Sequence, residues 1–129
     1  MNSETKHEPT DFDKAVYARL QSLVQSTNLY KEDNMNLAEV ADLLAVTPRE
    51  LSEAINRSVN MTFPMYIRQY RVNEAKRLLA LSDHQVMSIT EIGFEAGFSN
   101  KSTFNYSFKM LTNLTPSDFR QSVLSEKLH

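Results

Sequence analysis

With 129 residues, 41% of them hydrophobic and 9% aromatic, the chain can bury the core of one domain or of two very small lobes, which argues against disorder beyond its ends. The absence of cysteine excludes a disulfide framework, a thiolate metal site and a cysteine nucleophile, and no run approaches the roughly 20 apolar residues of a membrane helix or the pattern of a signal peptide. A balance of 14 Lys and Arg against 16 Asp and Glu, net −2, runs against the basic excess usual in nucleic-acid-binding domains.

The first residues, 1–11, read as a flexible tail or linker and the last, 125–129, as a second tail; both flank a domain over 12–124. Between them β-branched alternation is scarce, glycine occurs only twice, and helix start signals are dense, so the fold class is all-α. Seven helices are predicted, near 12–27, 36–44, 48–58, 63–81, 88–96, 101–111 and 116–124. In the first, Phe12, Val16, Leu20, Leu23, Val24 and Thr27 share a stripe that packs on a core. Asn36-Leu37-Ala38-Glu39, Thr47-Pro48-Arg49-Glu50, Ser88-Ile89-Thr90-Glu91 and Thr115-Pro116-Ser117-Asp118 each join a capping residue to an acid three positions on, and two of them have proline at the first helical position.

One pattern is written twice. NLAEVADLLAVTPRELSEAINRSVNMT, Asn36 to Thr62, aligns with SITEIGFEAGFSNKSTFNYSFKMLTNLT, Ser88 to Thr115, at an offset of 52 up to Thr47 and Ser99 and of 53 thereafter. Two copies are too few for a solenoid; each is a short helix, a turn and a second helix, the helix-turn-helix arrangement, over 36–58 and 88–111. Ala41 and Gly93 supply the small side chain where the two helices cross, and Ala45 and Gly97 stand in the turns. Gly97 suits a left-handed turn, whereas at Ala45 the turn is either strained or differently shaped.

At 100° per residue, Leu51, Ala54, Ile55 and Ser58 face inward on the second helix of the first unit, leaving Arg49, Ser52, Glu53 and Asn56 outside. In the second unit Phe104, Ser107, Phe108 and Leu111 face inward, and Ser102, Asn105, Tyr106 and Lys109 face out. A major groove admits a helix offering such groups: asparagine suits adenine, lysine or arginine guanine, and glutamate accepts from cytosine. Any surface helix is polar outside, but two matched copies at a fixed spacing point to base reading. Glu50 is assigned to capping, while Glu53 either reads a base or weakens this unit's binding.

The segment from Phe63 to Leu81 reads as one connecting helix of about 27 Å, of the order of the ~34 Å repeat between successive major-groove segments on one face of DNA. Although the first 34 residues are the acidic ones, the stretch from Arg57 to Arg77 contains Arg57, Arg68, Arg71, Lys76 and Arg77 against Glu74 alone. These five, with Thr47, Ser99 and Lys101 near the starts of the second helices, are the candidate phosphate contacts. His7, His84 and His129 are isolated, and the Glu91 and Glu95 pair has no nearby histidine or cysteine, so neither a metal site nor an enzyme is indicated.

The chain resembles the DNA-binding domain of the AraC/XylS family of bacterial transcription regulators over about residues 12–122, most densely in SITEIGFEAGFSNKSTFNYSFKMLTNLTPSDFR, with YRVNEAKRLL similar to that family's connecting helix. The resemblance implies seven helices, two helix-turn-helix units reading adjacent major-groove segments of double-stranded promoter DNA, a transcription activator with RNA polymerase as partner, and a bacterial cytoplasmic, nucleoid-associated location. No cofactor and no small-molecule ligand is implied for this domain. Many members of the family join it to a sensor, so the parent chain is either longer, and then open to membrane anchoring, or a stand-alone regulator. Glu53 and Tyr106 stand where basic residues are common in the family, and Asn60 and Asn113 where glycine is common; Lys109 and TPSDFR fit. The alternative is a helical protein-interaction module of the same fold with weakened or lost DNA binding. Of the two units, the second is expected to keep the usual geometry and the first to hold the peculiarities, Ala45 and Glu53.

Overall fold

The computed structural model describes residues 8–31, 35–81 and 87–127. Among them are seven α-helices and no strand: α1 (Asp11–Thr27), α2 (Leu37–Leu43), α3 (Pro48–Val59), α4 (Phe63–Leu81), α5 (Ile89–Glu95), α6 (Lys101–Thr112) and α7 (Pro116–Lys127), with one 3₁₀ turn at Leu29–Lys31. The chain divides into two compact units, Met1–Tyr66 and Ile67–His129, and α4 starts in the first and continues in the second.

In the first unit, α1 begins one residue before the predicted start. Thr10 accepts from Asp13 N at 3.0 Å and donates its own N–H to Asp13 Oδ2 at 2.9 Å, a reciprocal cap that satisfies two orphan donors. Its buried stripe is Asp13, Val16, Leu20 and Val24. Phe12, expected on that stripe, is 50% exposed; it lies about 100° away from Asp13 on the helix, and Asp13 takes the inward place because Arg57 compensates its charge. Leu29, Tyr30, Val40, Leu44, Leu51, Ile55, Phe63 and Tyr66 complete this core, and Tyr17 meets Tyr66 edge to face at 5.8 Å. Arg19 Nη2 donates to Leu44 O at 2.7 Å, tying α1 to the end of α2.

In the second unit Val72, Ala75 and Leu79 of α4 gather with Ile92, Ala96, Phe98, Phe104 and Phe108, and Phe119 packs against them. Phe104 lies 5.1 Å from Phe98 and 5.9 Å from Phe108, which lies 5.5 Å from Phe119. The inward stripe of α6 stops at Phe108. Leu111, expected inside, is 42% exposed, because the aromatic rings packed on α6 meet Phe104 and Phe108. Arg120, 5% exposed, donates to Met87 O at 2.9 Å and so ties α7 to the residues that open α5. The last helix runs through Lys127 rather than ending at 124, so residues 125–127 are helix and not tail; no glycine or proline interrupts SVLSEK. Residues 1–7 and 128–129, also expected as tail, lie outside the described residues, as does His84.

Candidate nucleic-acid interface

Each unit builds its helix-turn-helix on the same backbone motif. In the first, α2 ends with Ala45 N donating to Asp42 O and Val46 N to Ala41 O, both at 3.0 Å; in the second, Gly97 N donates to Phe94 O and Phe98 N to Gly93 O, both at 3.0 Å. This pair of bonds is the Schellman ending, which needs a left-handed residue just past the cap. Ala45 accordingly has φ 59° and Gly97 φ 107°. Of the two options at Ala45 the strained one holds: the turn keeps its shape and the Cβ bears the conflict.

The second helices start from caps that differ. Thr47 accepts from Glu50 N at 3.0 Å and donates its N–H to Glu50 Oε1 at 2.9 Å, which confirms Glu50 as a capping residue. The corresponding position in α6 is Asn100, whose Oδ1 accepts from Thr103 N at 2.8 Å. The extra residue between the repeats is therefore Ser99, and the offset changes one residue earlier than the sequence alignment put it. Asn60 and Asn113 end α3 and α6 with φ 58° and 67°, the left-handed conformation that asparagine tolerates and glycine commonly fills. On the opening helix of the second unit, the hydrogen bonds that Ser88 makes to Glu91 hold its carboxyl below the usual carboxylate range.

On α3, Leu51, Ala54 and Ile55 are buried, Arg49 and Asn56 are exposed, and Ser52 and Glu53 are half-buried. Glu53 is not aimed at solvent alone. Its Oε2 accepts from Arg49 Nε at 3.1 Å, its Oε1 lies 3.8 Å from Arg57 Nη2, and Arg57 Nη1 lies 3.3 Å from Asp13 Oδ2. The result is a chain of alternating charges along α3 into α1. Its links are unequal. Arg49 is 87% exposed, and an exposed pair one helical turn apart contributes only about 0.3–0.5 kcal/mol, so Arg49 is readily released to another anion. Asp13 is 4% exposed and Arg57 27%; burial tends to raise the Asp13 carboxyl, but the hydrogen bonds from Thr10 and Arg57 outweigh it and hold the group below its ordinary value. Arg57, expected at a phosphate, is thus engaged by its own unit.

Along α4, Arg68 is exposed, Arg71 and Lys76 are half-buried, and Arg77 donates from Nε to Glu74 Oε1 at 3.1 Å and from Nη2 to Glu74 Oε2. The basic band read in the sequence is partly neutralised by acids one turn away.

On α6, Ser102, Tyr106 and Lys109 are exposed and Asn105 is half-buried. Lys101, Asn105, Tyr106 and Lys109 line one groove of about 810 Å³, together with Met110 and the first residues of α5 and α7, among them Thr90, Thr115 and Ser117. Two lysines and no carboxylate line it. Ser102 and the exposed Ser99 are not among its walls. The helix-start residues Thr115 and Ser117 were read in the sequence only as caps, and Met110 was not singled out, although it follows Tyr106 by one turn and so shares its face. Among the described residues no three of His, Cys, Asp and Glu gather as metal ligands, and no helix is long and apolar enough to cross a membrane.

Comparison with known proteins agrees with this construction. A helix-turn-helix domain family model matches residues 40–122. The chain is 32% identical over 107 residues to an uncharacterised helix-turn-helix transcriptional regulator in the cgkA 5′ region of Pseudoalteromonas carrageenovora, covering 80% of this chain and 61% of that protein. It is 29% identical over 104 residues to the helix-turn-helix transcriptional activator RhaS of Escherichia coli, covering 81% of this chain and 36% of that one. It spans less than two thirds of either relative. A crystal structure of a transcriptional regulator with an AraC-type DNA-binding domain from Chromobacterium violaceum shares the fold, with a TM-score of 0.71 at 23% identity over 85% of this chain and 96% of that one. These relatives are transcription regulators and not enzymes. By the family match over most of its length, the chain belongs to the AraC-type helix-turn-helix domains, the DNA-binding part of transcription regulators.

Proposed function

We propose that this domain reads specific duplex DNA with both second helices: Arg49, Ser52, Glu53 and Asn56 of α3, and Ser102, Asn105, Tyr106 and Lys109 of α6. Thr47, Ser99, Arg68, Arg71, Lys76, Arg77 and Lys101 contact phosphates, and Arg57 chiefly serves the fold of its own unit. The observation that carries the reading is the groove on α6, where a chain of net charge −2 gathers two lysines without a carboxylate. Activation of transcription, with RNA polymerase as partner, extends this reading, since RhaS is named an activator. So does attachment to a sensor, since both relatives are longer than this chain. Near-neutral charge implies weak non-specific affinity, because phosphate neutralisation supplies nearly all of that term.

Selection of bound duplexes from a random pool, followed by titration at several salt concentrations, tests the reading and gives the spacing of the two half-sites. A preferred duplex with affinity falling in Lys109→Ala is the expected result. No preference for any duplex would overturn the proposal, and unchanged affinity and preference in Lys109→Ala would remove that lysine from the site. The chain of charges from Arg49 to Asp13 favours the second reading, a protein-interaction module that has kept the fold. That reading requires an inert titration together with a co-purifying partner.

A further inference from the structure

We infer that Tyr106 and Met110 read the C5 methyl groups of thymine, so that the half-site facing α6 contains at least one essential thymine. The inference rests on the DNA-reading role proposed above. On α6 these two side chains are 62% and 60% exposed, although each is large and largely apolar. They stand one helical turn apart and therefore side by side, and both line the groove that holds Lys101, Asn105 and Lys109. Single exposed apolar residues are ordinary, whereas an adjacent pair inside a concave site marks a contact surface.

The character of the groove selects the occupant. Its two lysines and lack of a carboxylate call for an anionic partner, while Tyr106 and Met110 call for an apolar element on that same partner. Duplex DNA supplies both: phosphates on the strands, and in the major groove the thymine methyl as the apolar element of the base edges. Asn105 in the same groove strengthens the choice. An asparagine amide matches adenine N6 and N7, so one A·T pair can satisfy Asn105 through adenine and the apolar pair through the thymine methyl opposite or at the next step. The outward face of α3 has no equivalent pair. The outward side chains of α3, Arg49, Ser52, Glu53 and Asn56, are all polar, so its half-site is discriminated by hydrogen bonds and charge.

Uracil replacement removes the methyl and keeps the Watson–Crick pairing. The experiment uses the duplex selected from the random pool, with each thymine replaced singly by uracil, and titrates the whole chain, Tyr106→Ala and Met110→Ala. The α6 half-site is the one where base preference changes in Lys109→Ala. Both alanine substitutions are at exposed positions and leave the buried core intact. Loss of one well-packed methyl contact corresponds to about a four-fold fall in affinity. The unsubstituted chain should show that loss at one or two thymines of the α6 half-site, and less than about a two-fold loss in the other half-site. At least one alanine variant should bind thymine and uracil duplexes alike. A preferred duplex with no uracil-sensitive thymine in the α6 half-site, or sensitivity unchanged in both variants, overturns this inference and leaves DNA reading standing. No duplex preference at all overturns both.

Discussion

Replacing Gly93 by alanine tests how α5 and α6 are held together. The added Cβ would stand 2.5 Å from Phe104 Cδ2 and 2.9 Å from its Cγ, where carbon atoms in contact sit at about 3.5–4.0 Å. The Phe104 ring is 1% exposed and has Phe98 and Phe108 beside it, with centroids at 5.1 and 5.9 Å. An overlap of about 1 Å is relieved only if the helices part or the ring leaves its rotamer. Overpacking of this kind costs about 1–3 kcal/mol, and the crowding by three rings puts it at the upper end. Alanine's better helix propensity offsets about 1 kcal/mol. The expected net loss is about 2 kcal/mol, or a melting midpoint lower by about 8 °C for a chain of this size. The first unit indicates the remedy: Ala41 stands where the second has Gly93 and Leu51 where it has Phe104, and both are 0% exposed. Gly93→Ala combined with Phe104→Leu should therefore lie at least about 1 kcal/mol above the sum of the two single changes. Urea unfolding followed by circular dichroism measures all three variants. Additive losses, or a Gly93→Ala variant as stable as the parent, would refute the reasoning.

Ala45→Gly should stabilise the first unit. A non-glycine residue at φ 59° costs about 1–2 kcal/mol, glycine's freedom in the unfolded chain takes back about 0.5–1 kcal/mol, and a lower urea midpoint in the variant would contradict the assignment of strain. The Asp13 carboxyl is held below its ordinary value in the folded state, so its contribution is complete above the unfolded pKa of about 3.9 and is lost as pH falls through the lower folded value. Asp13→Asn should cost about 1.5–3 kcal/mol near neutrality, the range for a charged hydrogen bond, with the gap to the parent closing in acid; a gap that persists unchanged at the acid end would show that the charge is not what Arg57 needs. Glu53→Gln removes the carboxylate that holds Arg49 at 3.1 Å. It should raise non-specific duplex affinity and steepen the salt dependence by up to about 0.9 in log–log slope; an unchanged slope would mean that Glu53 does not restrain Arg49 from phosphate.

The parts of this fold legible in the sequence are those encoded over three or four residues. The caps of α3 and α5 are read directly from Thr47 with Glu50 and Ser88 with Glu91, because donor and acceptor belong to the same helical turn. Gly93 as a crossing residue is legible for the same kind of reason: the repeat aligns it with Ala41. What escaped the reading depends on residues far apart in the chain. Nothing near Asp13 signals that Arg57, 44 positions on, will compensate it, and without that partner Phe12 is the natural choice for the stripe. Thr115 and Ser117 reach the groove of α6 only through the packing of α7, of which their capping pattern says nothing. The cap of α6 was missed for a subtler reason. Asn100 and Ser99 are both good capping residues, and only the three-dimensional match of the two turns decides between them.

The two units differ at the residues expected to set the first apart, Ala45 and Glu53, but not in the backbone of the turn. Ala45 takes φ 59°, and both turns close with the same pair of hydrogen bonds at the same 3.0 Å. The backbone frame therefore prevails over the local preference of alanine, which is the behaviour of a motif whose two helices must cross at a fixed angle for their cores to pack. The divergence lies in the side chains outside that frame. In the first unit the cations of α3 are bound by Glu53 and Asp13; in the second, Lys101 and Lys109 share a groove without a carboxylate. Matching turns, one beside a neutralised helix and the other beside a cationic groove, divide the proposed reading unequally. Under the proposed reading, the α6 unit supplies most of the attraction to the phosphate backbone. The α3 unit, whose Arg49 must first leave Glu53, contributes by selection: only a base or phosphate that replaces the carboxylate contact gains from its release, and every other sequence meets a helix already neutralised by itself.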